Sequence, residues 1–189
     1  MMRAIGLSRA WHVHARRTAC LWALCAAGLW LAACAPTADP GFRDPEVQIS
    51  ATTRFSPQAF AGSWHVIEAY PTVFLPRCVD QRWQADTATT PARFAVFCGD
   101  GGAAYEAPVA LDPRGALQLQ SSDLDIPARA LWVMWMDEDA QTAVIGTPSG
   151  EMGWIINRTP DLRADRLTAA REIMAFNGYD VTDLQGIEG

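Results

Sequence analysis

The most informative segment of the chain reads Gly153-Trp154-Ile155-Ile156-Asn157-Arg158-Thr159-Pro160, a short apolar run that ends in a cation and a proline. A run of this length, bounded by turn residues, is typical of a β-strand. The period then changes, because apolar residues recur at helical spacing from Asp165 to Phe176 and are followed by Asn177-Gly178, a typical helix end. The sequence therefore predicts a last strand followed by one C-terminal helix.

The predicted helix carries its apolar residues mostly on one face, formed by Leu167, Ala170, Ile173, Met174 and Phe176. Such a face must be buried, so we expect the helix to pack against the outside of the sheet. Residues 131–136 are apolar throughout. We expect this strand to lie beneath the helix, because a strand covered on both sides can be apolar on both faces.

Upstream, short apolar runs are separated by turn residues. Gly99-Asp100-Gly101-Gly102 predicts a tight turn, and Asp112-Pro113-Arg114-Gly115 predicts a hairpin. The pattern predicts about eight strands, over residues 63–70, 78–85, 94–98, 103–111, 116–120, 131–136, 142–146 and 152–157. Short strands at hairpin spacing are typical of an up-and-down barrel or of a sandwich.

The N-terminus has the pattern of an export leader. Four arginines and no acidic residue precede or flank an apolar run from Ala19 to Leu31, which ends in Leu31-Ala32-Ala33-Cys34. This ending resembles a bacterial lipobox, so we expect a lipoprotein signal peptide over residues 1–33 and a lipid such as palmitate on Cys34. An uncleaved signal anchor over residues 18–38 is the alternative. Ala35 after the lipidated cysteine favours the outer membrane.

The mature chain that would remain after removal of the predicted leader is acidic. The full sequence has a net charge of −6, and the leader removes four arginines and no acidic residue, so the mature chain is more acidic still. An acidic chain argues against a nucleic-acid partner. Residues 34–53 are rich in Pro, Ala, Thr and Asp, which predicts a flexible tether, and residues 54–189 then form the folded domain.

The remaining reactive side chains are few. Apart from Cys34, the mature chain has only Cys78 and Cys98, which in an exported domain predict one disulfide. A metal pair is the alternative, although no second pair of ligands lies nearby in the sequence. The mature chain has one histidine, His65, and no lysine. This inventory argues against an enzyme and against a metal site or cofactor.

Three segments in order resemble bacterial lipocalins of the outer-membrane lipoprotein type. Residues 55–64, Phe-Ser-Pro-Gln-Ala-Phe-Ala-Gly-Ser-Trp, resemble the entry turn and first strand with its Gly-x-Trp at Gly62 and Trp64. Residues 153–160 resemble the last barrel strand, and residues 163–177 the family helix. The resemblance implies an all-β, eight-stranded, up-and-down antiparallel barrel with one C-terminal α-helix packed outside. It also implies that Arg158 lies across Trp64, and that Cys78 and Cys98 fall on the second and third strands.

Strand parity then suggests which side chains face the barrel interior. If Trp64 points inward, so should Val66, Glu68 and Tyr70. The remaining candidates for contact with a ligand are Trp154 and Ile156, on the face of Arg158, and Trp83, Phe94, Val96, Trp132 and Trp135, whose register stays open. We expect Glu68 near the mouth, where it could meet a polar head group. A filled core is the alternative to a cavity.

These expectations combine into a function. We expect a lipid-anchored binding protein of the outer membrane, facing the periplasm, for a small apolar or amphiphilic ligand, a fatty acid or lysophospholipid, in lipid storage or transport. The alternative is a non-binding envelope protein with a filled barrel, which contacts another protein or supports the cell wall. An enzyme with its active site inside the barrel is the third option, and it would need two carboxylates there.

Overall fold

A computed structural model describes residues 41–71, 78–99, 101–119 and 130–187. The predicted leader, the signal-anchor alternative and Cys34 lie outside these residues. Among the helices within the described ranges, none combines the length and the apolar character needed to cross a bilayer.

The described chain forms a closed antiparallel barrel. Its strands are β1 (Gly62–Ala69), β2 (Gln81–Asp86), β3 (Ala92–Cys98), β4 (Ala103–Asp112), β5 (Ala116–Leu119), β6 (Ala130–Met136), β7 (Thr142–Gly146) and β8 (Gly153–Asn157). Each strand pairs with the next, and β1 pairs with both β2 and β8. The predicted eight-stranded up-and-down barrel is confirmed, and the sandwich is excluded because the sheet closes on itself.

Two helices and a short strand complete the fold. Helix α1 (Pro57–Phe60) precedes β1, helix α2 (Ala164–Phe176) follows β8, and β9 (Gln185–Gly186) pairs with the end of β1. Helix α2 packs outside the barrel against β6, β7 and β8, as predicted. Two of the side chains beneath it, Val144 and Ile155, are fully buried although they face away from the barrel interior.

The predicted apolar face of α2 is wrong at Phe176. Ala170 and Met174 are fully buried, whereas Phe176 is 74% exposed. Phe176 follows Met174 by two residues, which turns it by about 200° around the helix and away from the sheet.

The predicted flexible tether is wrong for residues 41–53. The Phe42 ring stacks on Tyr70, with 4.7 Å between the centroids. Arg43 is buried, and its Nε donates to the carbonyl of Asn177 at 2.8 Å while Nη1 donates to the carbonyl of Pro148 at 2.8 Å. Long-range contacts therefore hold this segment against the domain, despite a composition typical of a linker.

Candidate functional site

One end of the barrel is closed by α1 and by the contact between Trp64 and Arg158, and we call it the plugged end. The Arg158 guanidinium carbon lies 3.6 Å from the centroid of the Trp64 ring. The indole Nε1 donates to the carbonyl of Phe60 at 2.8 Å, which fixes the ring under α1. A cation over an indole face is stabilising by about 0.5–2 kcal/mol.

Arg158 also joins three separate segments at the plugged end. Its Nη1 donates to the carbonyl of Ser63 at 2.9 Å, Nη2 to that of Ala59 at 2.6 Å and Nε to that of Ala140 at 3.2 Å. Burial lowers the pKa of Arg158, but a guanidinium remains charged in proteins. The planar fork of donors therefore ties α1, the start of β1 and the β6–β7 turn to the end of β8.

The inner wall of the barrel is apolar and rich in aromatic side chains. Six of the predicted ligand-contact residues lie in its buried cluster: Val66, Trp83, Phe94, Val96, Trp154 and Ile156. Trp83 lies between two other rings, with its centroid 4.9 Å from that of Phe94 and 5.0 Å from that of Trp154, both in edge-on geometry. Such pairs stabilise the wall and present apolar surface to anything inside it.

Glu68 and Tyr70 lie outside the barrel, contrary to the parity prediction. The pairing of β1 with β8 shifts by one residue between Val66 and Glu68, which is a β-bulge. A bulge inserts one residue and reverses the faces of the residues that follow it. The inward position after Val66 is therefore occupied by Ala69, which belongs to the inner cluster.

The displaced side chains have well-defined partners outside the wall. Glu68 is buried and accepts from both Nε and Nη2 of Arg171 on α2, with 2.8 Å from Nε to Oε2. This hydrogen bond raises the pKa of Arg171. The Tyr70 hydroxyl donates to the carbonyl of Asp180 at 2.9 Å, and burial, followed by the neighbouring Tyr179, raises the pKa of Tyr70. Both residues thus contact α2 and the C-terminal segment and face away from the barrel interior, where they were predicted to lie.

Trp132 and Trp135 also face away from the interior. Trp132 stands between the inward-facing Leu131 and Val133 and lines an outer groove of about 540 Å³. A second bulge shifts the pairing of β6 with β7 between Val133 and Trp135, so Trp135 packs with the residues beneath α2.

Two inward-facing polar residues were not predicted, Gln81 and Tyr105. Gln81 alternates with Trp83 along β2 and is 3% exposed, and Tyr105 packs against the inner cluster. Burial raises the pKa of Tyr105. Strand parity could have placed Gln81 on the inner wall, because it lies two residues before Trp83 on the same strand. This inference was not possible from the sequence, since the direction of the Trp83 side chain was not known.

The disulfide prediction is confirmed. Cys78 is bonded to Cys98 at the end of β3, but it lies just before β2 and not on that strand as predicted. It crosslinks the barrel at the end opposite to α1, which we call the far end. Within the described ranges, no group of three or more His, Cys, Asp or Glu side chains is placed to hold a metal ion.

Two sequence comparisons match parts of this chain to lipocalins. The sequence profile of the lipocalin-like domain matches residues 119–188. Temperature-induced lipocalin-1 of Arabidopsis thaliana is 36% identical over 53 residues, which span 28% of this chain and 28% of the plant protein.

Solved structures share the architecture. Insecticyanin from the tobacco hornworm Manduca sexta aligns with a TM-score of 0.59 at 15% identity, over 80% of this chain and 88% of that one. The cockroach allergen Per a 4 aligns with a TM-score of 0.54 at 10% identity, over 77% and 96%. The chain therefore has the lipocalin fold.

Proposed function

We propose that this protein is a bacterial lipocalin of the lipoprotein type, which binds a small apolar or amphiphilic ligand, a fatty acid or lysophospholipid, inside its barrel. The observation that carries the proposal is the closed barrel with an apolar, aromatic inner wall. An eight-stranded barrel is wide enough to be filled by its own side chains or, as in lipocalins, to hold one small ligand, and each buried CH₂ of an acyl chain contributes about 0.8 kcal/mol. Proteins of this class are generally binding or transport proteins rather than enzymes.

Titration with a fluorescent fatty acid, cis-parinaric acid, tests ligand binding. The described residues from 41 to 187 belong to one compact unit, so we expect the chain from Ala35 onward to retain the barrel. We expect saturable fluorescence enhancement, displaced by palmitate and by lysophosphatidylcholine. Trp154→Ala should change the affinity, whereas Trp132→Ala, on the outer face, should not. The absence of saturable binding by any acyl ligand would refute the proposal.

A non-binding envelope protein is the second candidate. The contacts of Trp83 with Phe94 and Trp154 favour it, because they fill part of the interior with the protein's own side chains. A filled barrel predicts that none of the acyl probes binds and that the interior supplies packing only.

We propose further that Cys34 carries a lipid and anchors the domain to the outer membrane, with the barrel in the periplasm. The described chain starts beside the β7–β8 turn at the far end, where the Phe42 N–H donates to the carbonyl of Gly150 at 2.8 Å. From Cys34 to Gly41 an extended chain spans at most about 25 Å. The anchor would therefore hold the far end of the barrel within reach of the bilayer, so that a lipid crosses little water.

Mass spectrometry of the membrane-extracted protein tests the anchor. We expect an acylated N-terminal Cys34 peptide in the outer-membrane fraction, and release of the domain into the soluble fraction when Cys34→Ser is made. An unmodified cysteine, or an intact leader, would refute it.

A further inference from the structure

Four buried polar atoms on strands β2 and β4 have no hydrogen-bond partner among the described residues. Arg82 Nε lies 3.7 Å from Asp80, and the other three belong to side chains of the inner wall: Gln81 Nε2, Trp83 Nε1 and Tyr105 Oη. Trp83 is 1% exposed and Gln81 3%, so bulk solvent does not reach them. Buried polar groups in native proteins are nearly always hydrogen-bonded, and each exception needs an explanation.

The three side chains occupy one patch of the wall. Trp83 is opposite Val96 on β3, and Val96 is opposite Tyr105 on β4, so Trp83 and Tyr105 are two strands apart at one level. Two strand spacings amount to about 10 Å, and Gln81 lies about 7 Å further along β2. Indole, phenol and amide side chains can therefore point at a single ligand group in front of Val96.

All three atoms can donate a hydrogen bond, and the indole N–H can only donate. The patch is therefore suited to an acceptor, such as an oxygen of the ligand. Without one, the donors remain desolvated inside an apolar wall.

Charge decides between two kinds of acceptor. A carboxylate inside the barrel would need a cation, because an unpaired buried charge is strongly unfavourable. The nearby arginines of β2 and β3 are engaged elsewhere: Arg82 faces Asp80, and Arg93 pairs with Glu106 on the outer surface. Arg158 donates to backbone carbonyls at the plugged end. An uncharged carbonyl oxygen meets the donors without this cost.

We propose that the barrel binds an apolar molecule with an uncharged carbonyl oxygen, whose two lone pairs accept hydrogen bonds from Trp83 and Tyr105, the two donors at one level of the wall. This inference rests on the proposed ligand-binding function and narrows it. The carbonyl of an ester or ketone can accept from the indole and the phenol, whereas a free fatty acid leaves its carboxylate in water and both donors unpaired.

The test compares three probes on the chain from Ala35 onward: 2-heptadecanone, heptadecane of equal length, and palmitate. Affinities come from displacement of cis-parinaric acid, and the infrared carbonyl stretch of the bound ketone reports hydrogen bonding directly. We expect the ketone to bind about five- to tenfold tighter than the alkane, with its carbonyl band at lower frequency than in hexane.

The double variant Trp83→Phe/Tyr105→Phe removes two donors and keeps the rings. We expect it to bind ketone and alkane equally and to lose the infrared shift, while the ratio of palmitate affinity to alkane affinity stays as in the parent protein. Trp132→Phe, which removes an indole N–H from the outer face, is the matched control and should leave every value unchanged.

The outcomes separate the inference from the function beneath it. If no probe binds, the ligand-binding function itself fails. If ketone and alkane bind equally to the parent protein, the barrel binds apolar ligands but the donor patch does not recognise a carbonyl. If the infrared shift of the bound ketone survives in the double variant, another donor or an internal water makes the hydrogen bond. If the double variant loses affinity for palmitate as much as for the ketone, the acceptor is a carboxylate.

Discussion

Arg158→Met removes at once the contacts by which the end of β8 holds the plugged end of the barrel. Methionine keeps much of the side-chain length but provides neither charge nor donors. The carbonyls of Ala59, Ser63 and Ala140 then lose their common partner, and the Trp64 ring loses its cation.

The magnitude follows from these contacts. The cation over the indole contributes about 1 kcal/mol. The three hydrogen bonds contribute about 1 kcal/mol each, since the carbonyls are partly exposed and regain water. The expected loss of unfolding free energy is therefore about 4 kcal/mol, a large share of the ~5–15 kcal/mol of a typical domain.

Urea unfolding of the chain from Ala35, followed by tryptophan fluorescence and far-ultraviolet circular dichroism, measures this loss. With a slope of about 2 kcal/mol per molar urea, the midpoint should fall by about 2 M. Arg158→Lys should lose about half as much, because one ammonium keeps the charge but cannot form the fork.

Arg163→Met is the matched control, since the Arg163 pair with Asp165 is exposed. Exposed pairs contribute less than about 1 kcal/mol. If Arg158→Met shifts the midpoint no more than Arg163→Met, the reasoning about the plugged end is wrong.

Three further outcomes are expected from the same unfolding assay. Arg171→Met leaves the Glu68 carboxylate buried without its cation and should lower the free energy of unfolding by about 2–4 kcal/mol. The double variant Arg171→Met/Glu68→Leu should recover part of this loss, and an equal loss in both variants would contradict the ion-pair account. Met174→Ala should cost about 2–4 kcal/mol and Phe176→Ala less than about 0.5 kcal/mol, and the reverse order would mean that α2 is docked differently. Reduction of the disulfide with dithiothreitol should cost about 3 kcal/mol, whereas an unchanged midpoint would show that the bond does not constrain the unfolded chain.

The sequence alone located the elements that a local pattern of apolar and turn residues determines. Short apolar runs between turn residues located all eight strands, and the helical period after Asn157 located α2. Trp64 and Arg158 could be paired because the resemblance covers both ends of the barrel in order. Parity also placed Val66, Trp154 and Ile156 on the inner wall.

Parity failed on β1, where a bulge interrupts the strand. Beyond the shift after Val66, Glu68 turns from the interior to α2. The register of Trp135 had been left open, and a second shift after Val133 places this residue beneath α2. A physical signal was present for Glu68, because a lone carboxylate inside an apolar barrel is costly and a bulge avoids that cost. No such signal exists for Trp135, since an indole is acceptable on either face.

Long-range partners explain the failure at the tether. Arg43 lies among residues typical of linkers, yet its acceptors include the carbonyls of Pro148 and Asn177, more than a hundred positions away. Local composition cannot reveal a partner at that separation.

The Arg43 contacts have a mechanical consequence. A pull on the N-terminus reaches the carbonyls that Arg43 holds, at Asn177, Pro148 and Val47, before it reaches α1. The force thus acts on the β7–β8 turn and the end of α2, which lie at the far end of the barrel, opposite to Trp64. A force applied to the N-terminal segment therefore loads the far end of the barrel, and the contact between Trp64 and Arg158 carries none of it until the contacts of Arg43 break.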